Sequence, residues 1–156
     1  MDAELDPIDR WLRTLARRQA GCRALMSHHY GIGAITAPTI LAELGDARRF
    51  VGGDQVVRYM GLDITVYASD GKRSPGHLSR QGPEVLRWAL FEAAKAAARP
   101  SSPDYGFYQQ VKARQGGNRA TLAVARKLAR RVRHTLASLG DAALAPVEDL
   151  AVAEAA

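Results

Sequence analysis

The clearest periodicity lies in the last third of the chain. Leu122, Ala125, Leu128, Ala129, Val132, Leu136 and Leu139 recur at three- and four-residue spacing, on one face of a helix predicted from about 119 to 139, where Gly140 stops it. Arg119, Arg126, Lys127, Arg130, Arg131, Arg133 and His134 gather on the other side, giving one core face and one cationic stripe. At the N-terminus, Asp6 as cap, Pro7 at the first helical position and Asp9 in the first turn predict a helix over about 6–26. Its Ile8, Leu12, Leu15, Cys22 and Met26 form a heptad-like seam that needs a partner helix. Shorter helices are predicted from Thr36 to Gly45, within 46–62 behind Asp54 and ending at Gly61, over 83–99, and over 104–115 before Gly116-Gly117-Asn118. In the helix over 83–99, Ala89, Ala93, Ala94 and Ala97 make a smooth face for close packing.

Two segments break this helical texture. Gly31-Ile32-Gly33 sits between two predicted helices, the pattern of a helix-hairpin-helix turn that can hold a phosphate on backbone amides; a plain inter-helix turn has the same residues. Residues 63–82 combine a brief strand candidate, Thr65-Val66-Tyr67, with turn chemistry at Asp70-Gly71-Lys72-Arg73-Ser74-Pro75-Gly76. The expected fold class is therefore mostly α: a helical bundle with a helix-hairpin-helix-like element, an irregular loop able to include a short β segment, and an N-terminal coiled-coil stub. The expected organisation is a stub over 1–29, a main domain over 30–139, and an acidic, Ala-rich, disordered tail over 140–156.

Composition narrows the class. With 47% hydrophobic residues in 156, the chain can bury a core, which excludes a disordered polyelectrolyte. A single cysteine, Cys22, excludes an internal disulfide and a Cys-based zinc cluster, and fits a reducing, cytoplasmic setting. There is no run of 18 apolar residues and no signal-peptide pattern, so neither membrane spanning nor secretion is expected. The net charge of +6 is unevenly spread: residues 1–68 carry 8 basic and 8 acidic side chains, residues 69–134 carry 14 and 4, and residues 135–156 carry 4 acidic ones only. The basic middle suits a polyanion, although a solvated cationic face has the same composition. Tyr105, Phe107 and Tyr108 in that region could stack on bases or simply fill core. The adjacent His28 and His29 lack a third ligand and read as helix-end residues, so no metal site is expected.

The motifs in order resemble one family. Gly31-Ile32-Gly33 with Ala37, Arg49-Phe50, Tyr59-Met60-Gly61-Leu62, Ser69-Asp70-Gly71-Lys72-Arg73, Gly76-His77-Leu78-Ser79-Arg80-Gln81-Gly82, Leu86-Arg87 and Ala123-Val124-Ala125-Arg126-Lys127-Leu128 look like the C-terminal transposase domain of the Piv-related insertion-sequence transposases. The resemblance covers residues 31–133. It implies DNA recombination directed by a non-coding guide RNA, with a Ser nucleophile from this domain. A RuvC-like domain, joined through a coiled coil, would bring four acidic residues and Mg2+. The family's Ser falls on Ser69, with Lys72 and Arg73 just after it. Departures include His29-Tyr30 where Pro precedes the turn, Asp63-Ile64-Thr65 where Pro follows Gly-Leu, Pro83 where Asn follows Gly, and Asp70 where Gly follows Ser. About 30 residues precede Gly31, so no RuvC-like half is expected in this sequence, and the chain reads as a fragment inactive alone.

A Ser hydroxyl needs a base, a metal or nearby positive charge to attack a phosphodiester. The resemblance makes Ser69 the catalytic candidate; without it, a Ser beside Asp-Gly is a turn residue, and Ser74, Ser79 and Thr65 are runners-up open to the same reading. Gly31, Ile32, Gly33, Lys72, Arg73, Arg80, Arg87, Arg119, Arg126, Lys127, Arg130, Arg131 and Arg133 are the candidate nucleic-acid contacts. Three readings follow: a transposase domain binding DNA and guide RNA and supplying Ser69, a non-catalytic nucleic-acid-binding remnant, or an oligomerisation module whose stub self-associates.

Overall fold

In a computed structural model of the chain, the described residues are 2–64, 68–69, 72–73 and 78–147, with backbone alone described for 2–4, 68–69 and 72–73. They form seven α-helices: α1 (Asp2–Arg18), α2 (Ala20–His28), α3 (Thr36–Leu44), α4 (Gly53–Tyr59), α5 (Glu84–Lys95), α6 (Tyr105–Gln115) and α7 (Gly117–Leu139). Two short antiparallel strands, β1 (Ala68–Ser69) and β2 (Lys72–Arg73), pair Ala68 with Arg73 and Ser69 with Lys72. The mostly helical bundle predicted by the apolar spacing is thus the observed architecture, with the β segment confined to the loop that bears Ser69. The strand candidate Thr65-Val66-Tyr67 lies outside the described residues.

The central element is α7. Its Ala120, Val124, Ala125, Leu128, Ala129, Val132 and Leu136 are buried, and α2, α4, α5 and α6 all pack on it. Leu86, Ala89, Leu90, Ala93 and Ala94 form the inward face of α5, where the small side chains allow α3 and α7 to approach. From α3 come Ile40, Leu41 and Leu44, and from α4 Val56 and Val57, followed by Met60 and Leu62.

The N-terminal helix differs from its prediction in two ways. It begins at Asp2, a turn before the Asp6 cap, so Pro7 lies inside it. It also breaks at Gln19, whose extended backbone turns the chain while its Oε1 accepts from Gly21 N at 2.6 Å. Periodicity carries across this break because the seam residues keep their spacing, yet the two halves do different things. Cys22 and Leu25 of α2 are buried in the main core, whereas Leu5, Ile8 and Trp11 of α1 are exposed. The first part of the tail is also structured. Gly140–Leu144 is a 3-10 turn whose Ala143 is buried, and Gln19 Nε2 donates to Ala145 O at 3.0 Å. A Cβ on Gly21 would overlap Ala143 O, so this turn and α2 depend on the glycine's lack of a side chain.

His29, at the end of α2, is buried against α7, with Nε2 and Thr135 Oγ1 2.9 Å apart. Burial, followed by the positive charges of Arg131 and His28, holds its pKa below the usual 6.5. The unfolded chain therefore takes up the proton first: His29's contribution to stability is complete above about pH 6.5 and is lost as pH falls through the folded pKa. We expect the melting temperature to fall between pH 7 and pH 5, and the fall to be smaller in His29→Gln, which keeps a neutral hydrogen-bonding side chain. An equal fall in both proteins would contradict this assignment.

Candidate nucleic-acid interface

The cationic side of α7 is largely engaged with the protein itself. Lys127 Nζ donates to Asp104 Oδ1 at 2.8 Å, while Arg131 donates to both oxygens of the same carboxylate, at 2.6 and 3.1 Å. Asp104 precedes α6 but makes no capping bond to it; its buried carboxylate instead ties α6 to α7. Burial pushes the Asp104 pKa up, but the hydrogen bonds from Arg131 and Lys127 outweigh it and hold the group ionised below its ordinary value. Arg133 Nη2 donates to Phe50 O at 2.5 Å and Arg126 Nε to Leu62 O at 2.6 Å, so two guanidinium groups tether loop carbonyls. Arg130 holds Asp54 through Nε and Nη2, at 3.0 and 2.8 Å. Arg119 is exposed at the start of α7, with no side-chain partner among the described residues.

The loop bearing Ser69 leaves and rejoins the bundle through a narrow neck. Gly61, with φ of 67°, lies against Gly82, where a Cβ would overlap Tyr59 O. Ser79 N donates to Asp63 O at 3.1 Å, Ser79 Oγ donates to Asp63 Oδ1, and Arg80 N donates to Gly61 O at 3.3 Å. Ile64 and Leu78 form an antiparallel bridge just beyond. Arg87 reaches Gly82 O and Met60 O through Nη1, at 3.3 and 3.5 Å. Ser79 and Arg87 are thus fasteners of the neck, and the Arg80 side chain is exposed beside it. The register leaves two residues between Ser69 and Lys72, so the backbone at Ser69 is set opposite that at Lys72. The side chains of Ser69, Lys72, Arg73 and Ser74 lie outside the described residues, as does that of Thr65.

Below the neck is a cleft of about 380 Å³ lined by Asp54, Val57, Arg58, Asp63, Ile64, Arg126 and Arg130. The sequence pattern gave no sign of Arg58 here, because the chain turns away after α4 and only the fold returns α7 beside it. The Gly31-Ile32-Gly33 turn is elsewhere, against α5: a Cβ on Gly31 would overlap Ala93 O, and Ile32 is buried. Ile32 N donates to His29 O at 3.2 Å and Gly33 N to Thr36 Oγ1 at 2.9 Å, so two of these amides are already used inside the turn. Of the aromatic candidates, Tyr108 is buried, Tyr105 half-buried, and Phe107 lies at the surface with Lys127 Nζ 4.8 Å from its ring centre. Phe50 and Tyr59 also share a cation, the Arg49 guanidinium, at 4.4 and 4.6 Å.

Residues 22–109 match the family model described as "Transposase IS116/IS110/IS902 family". The chain belongs to this transposase family. It is 30% identical over 99 residues to a "Probable family 20 transposase" of Pseudomonas aeruginosa, covering 64% of this chain and 29% of that protein. It is 26% identical over 130 residues to the "Transposase for insertion sequence element IS1111A" of Coxiella burnetii, covering 81% of this chain and 35% of that one. The chain thus spans about a third of the length of these curated relatives. The neck, the cleft floor at α4 and the Gly31 turn all fall inside the matched region, whereas the α7 part of this transposase-family chain follows it. Among the described residues, no three His, Cys, Asp or Glu side chains come together to hold a metal ion, and no helix is long and apolar enough to cross a membrane.

The Asp104 bridge yields a direct test of how far α7 depends on its charges. Asp104→Asn keeps the shape but leaves Lys127 and Arg131 without a carboxylate, and should lower unfolding stability by about 2 kcal/mol. A urea midpoint unchanged from the parent would show that the bridge contributes nothing.

Proposed function

We propose that this chain is the serine-bearing DNA-binding part of an insertion-sequence transposase. In this reading it binds DNA together with a guide RNA, and presents Ser69 as the nucleophile. The observation that carries the reading is the coincidence, within one transposase-family chain, of a clamped neck, a β pairing that sets Ser69 opposite Lys72, and a guanidinium-lined cleft beneath them. Phosphodiester chemistry needs a positioned hydroxyl and cationic donors near the non-bridging oxygens.

In the proposed step, Ser69 Oγ loses its proton and forms a bond to phosphorus. A phosphorus–oxygen bond to deoxyribose breaks, and the departing hydroxyl takes up a proton. The phosphoserine ester conserves the bond energy, so reversal onto a second strand needs no nucleotide triphosphate. Lys72, Arg73 and Arg80 belong to the loop side of the site, while Arg126 and Arg130 belong to the bundle side. Arg87 fixes the neck, and Arg119, Lys127, Arg131 and Arg133 contribute to the basic field. The Gly31-Ile32-Gly33 turn stays a secondary contact candidate. Among the described residues no three His, Cys, Asp or Glu side chains come together to hold a metal ion; in this reading Mg2+ would come with a RuvC-like domain.

Labelled duplex DNA should bind with an affinity that falls linearly in log salt, by about 0.9 per phosphate contacted. With a relative's RuvC-like domain and guide RNA supplied in trans, a covalent protein–DNA adduct should form and disappear in Ser69→Ala, with DNA affinity kept within about twofold. A flat salt dependence would remove the nucleic-acid reading; an adduct that survives Ser69→Ala would remove Ser69.

Self-association through α1 is the second part of the proposal. Leu5, Ile8 and Trp11 are 54%, 55% and 40% exposed on one side of α1, an apolar stripe with nothing packed over it among the described residues. A second α1 laid along this seam would cover it. Light scattering should show a dimer for the parent and a monomer for Ile8→Lys combined with Trp11→Lys. A parent that stays monomeric at high micromolar concentration would exclude this mode.

A further inference from the structure

The cleft below the neck has a more specific property than general positive charge. Arg126 is half-buried there, its Nε tied to Leu62 O, and its Nη atoms take no partner among the described residues. Burial, and then the charge of Arg130, make its ionised form harder to keep than an ordinary arginine's; the charge of Asp63 acts the other way. Arg58 stands on the opposite wall, exposed and likewise unpartnered among the described residues. Asp63 is engaged by the Ser79 hydroxyl at the neck. Asp54 is held by Arg130, but its side chain is 76% exposed, and an ion pair so open contributes only about 0–1 kcal/mol. Three guanidinium groups therefore line one space with two carboxylates, Asp63 engaged by Ser79 and Asp54 only weakly held.

We infer that this cleft is a seat for a single DNA backbone phosphate, bound by Arg126 and Arg58, with Asp54 as an internal competitor that holds Arg130 until the phosphate displaces it. The inference rests on the DNA-binding reading above and deepens it. A phosphodiester accepts from two guanidinium forks at once, which suits arginine better than lysine on both walls. Its arrival gives Arg126 the counter-charge that the cleft's own carboxylates supply only in part. The exchange of Asp54 for phosphate on Arg130 replaces an exposed pair by a shared one. It also places the bound strand at the base of the loop that carries Ser69.

The test compares matched charge changes by fluorescence anisotropy on one labelled DNA duplex across a salt series. Arg58→Ala should weaken binding about five- to tenfold and lower the magnitude of the log–log salt slope by about 0.9; Arg10→Ala, an equal charge change on exposed α1, should change affinity less than twofold. Asp54→Asn should tighten binding by about three- to fivefold, and Asp9→Asn, also on α1, should not. Arg58 has no partner among the described residues and Asp54 is exposed, so both variants should melt close to the parent. If the parent shows no salt-dependent binding, the DNA-binding reading itself fails. If the parent binds but Arg58→Ala matches Arg10→Ala, or Asp54→Asn matches Asp9→Asn, the seat is overturned while that reading stands. Tighter binding of the same-sequence RNA duplex, with the same dependence on Arg58, would assign the cleft to RNA and overturn the inference as stated. Displacement of the duplex by millimolar inorganic phosphate at constant ionic strength would show a free-phosphate site and overturn it too.

Discussion

The structure depends on α7 having two committed sides. Its apolar row is buried against four other helices. Five of its basic side chains, Arg126, Lys127, Arg130, Arg131 and Arg133, end on the Asp104 and Asp54 carboxylates and on the carbonyls of Phe50 and Leu62, while Arg119 stays exposed. A helix so enriched in arginine can be central because each half-buried guanidinium finds an acceptor, as desolvated charge requires. Arg133 Nε, buried without a partner, is the exception among the described residues.

This commitment has a functional consequence. Carbonyls held by α7 lie at the two loops flanking α4, so the helix fixes where the chain leaves for the Ser69 hairpin. The neck then needs almost no further material: two glycines in contact, a Ser–Asp pair and one arginine. Because a Cβ at Gly82 would overlap backbone, the two strands of the neck can approach this closely only with glycine there. Among the described residues, Arg58 and the Nη atoms of Arg126 are left without a partner after this internal use, and both line the same cleft.

Much of the scaffold was legible in the sequence, for a physical reason. Helices α3, α5, α6 and α7 each carry a local signal: apolar spacing, a glycine stop, or a proline at the start. The break at Gln19 was not legible, because the seam keeps its spacing across it, and only the fold shows that α2 is buried in the core while α1 reaches it through its C-terminal end, at Ala16, and leaves Leu5, Ile8 and Trp11 exposed. The role of Asp104 was equally hidden. It stands where a cap is expected, and nothing in its neighbours reveals that Lys127 and Arg131 will claim its carboxylate. Periodicity placed the arginines on one side of α7 correctly but could not say which would be consumed by acceptors distant in sequence. Arg58 lacked any motif, and its place in the cleft depends wholly on the return of α7 beside α4. Ser69 is a candidate only through family resemblance, since Ser-Asp-Gly-Lys by itself describes a turn.

Whether nucleic acid engages the bundle at the base of the Ser69 loop, as proposed, or along a free cationic helix can be read directly. Backbone and arginine side-chain NMR signals can be followed while a short DNA duplex is titrated into the chain. If the proposal holds, perturbations should concentrate at residues 54–64 and 78–82 and at the side chains of Arg126 and Arg130, with a shifted Arg126 Nε signal and an unmoved Arg131 Nε signal. Perturbations that instead run the length of α7, or centre on the Gly31 turn or the exposed Trp88 of α5, would contradict it.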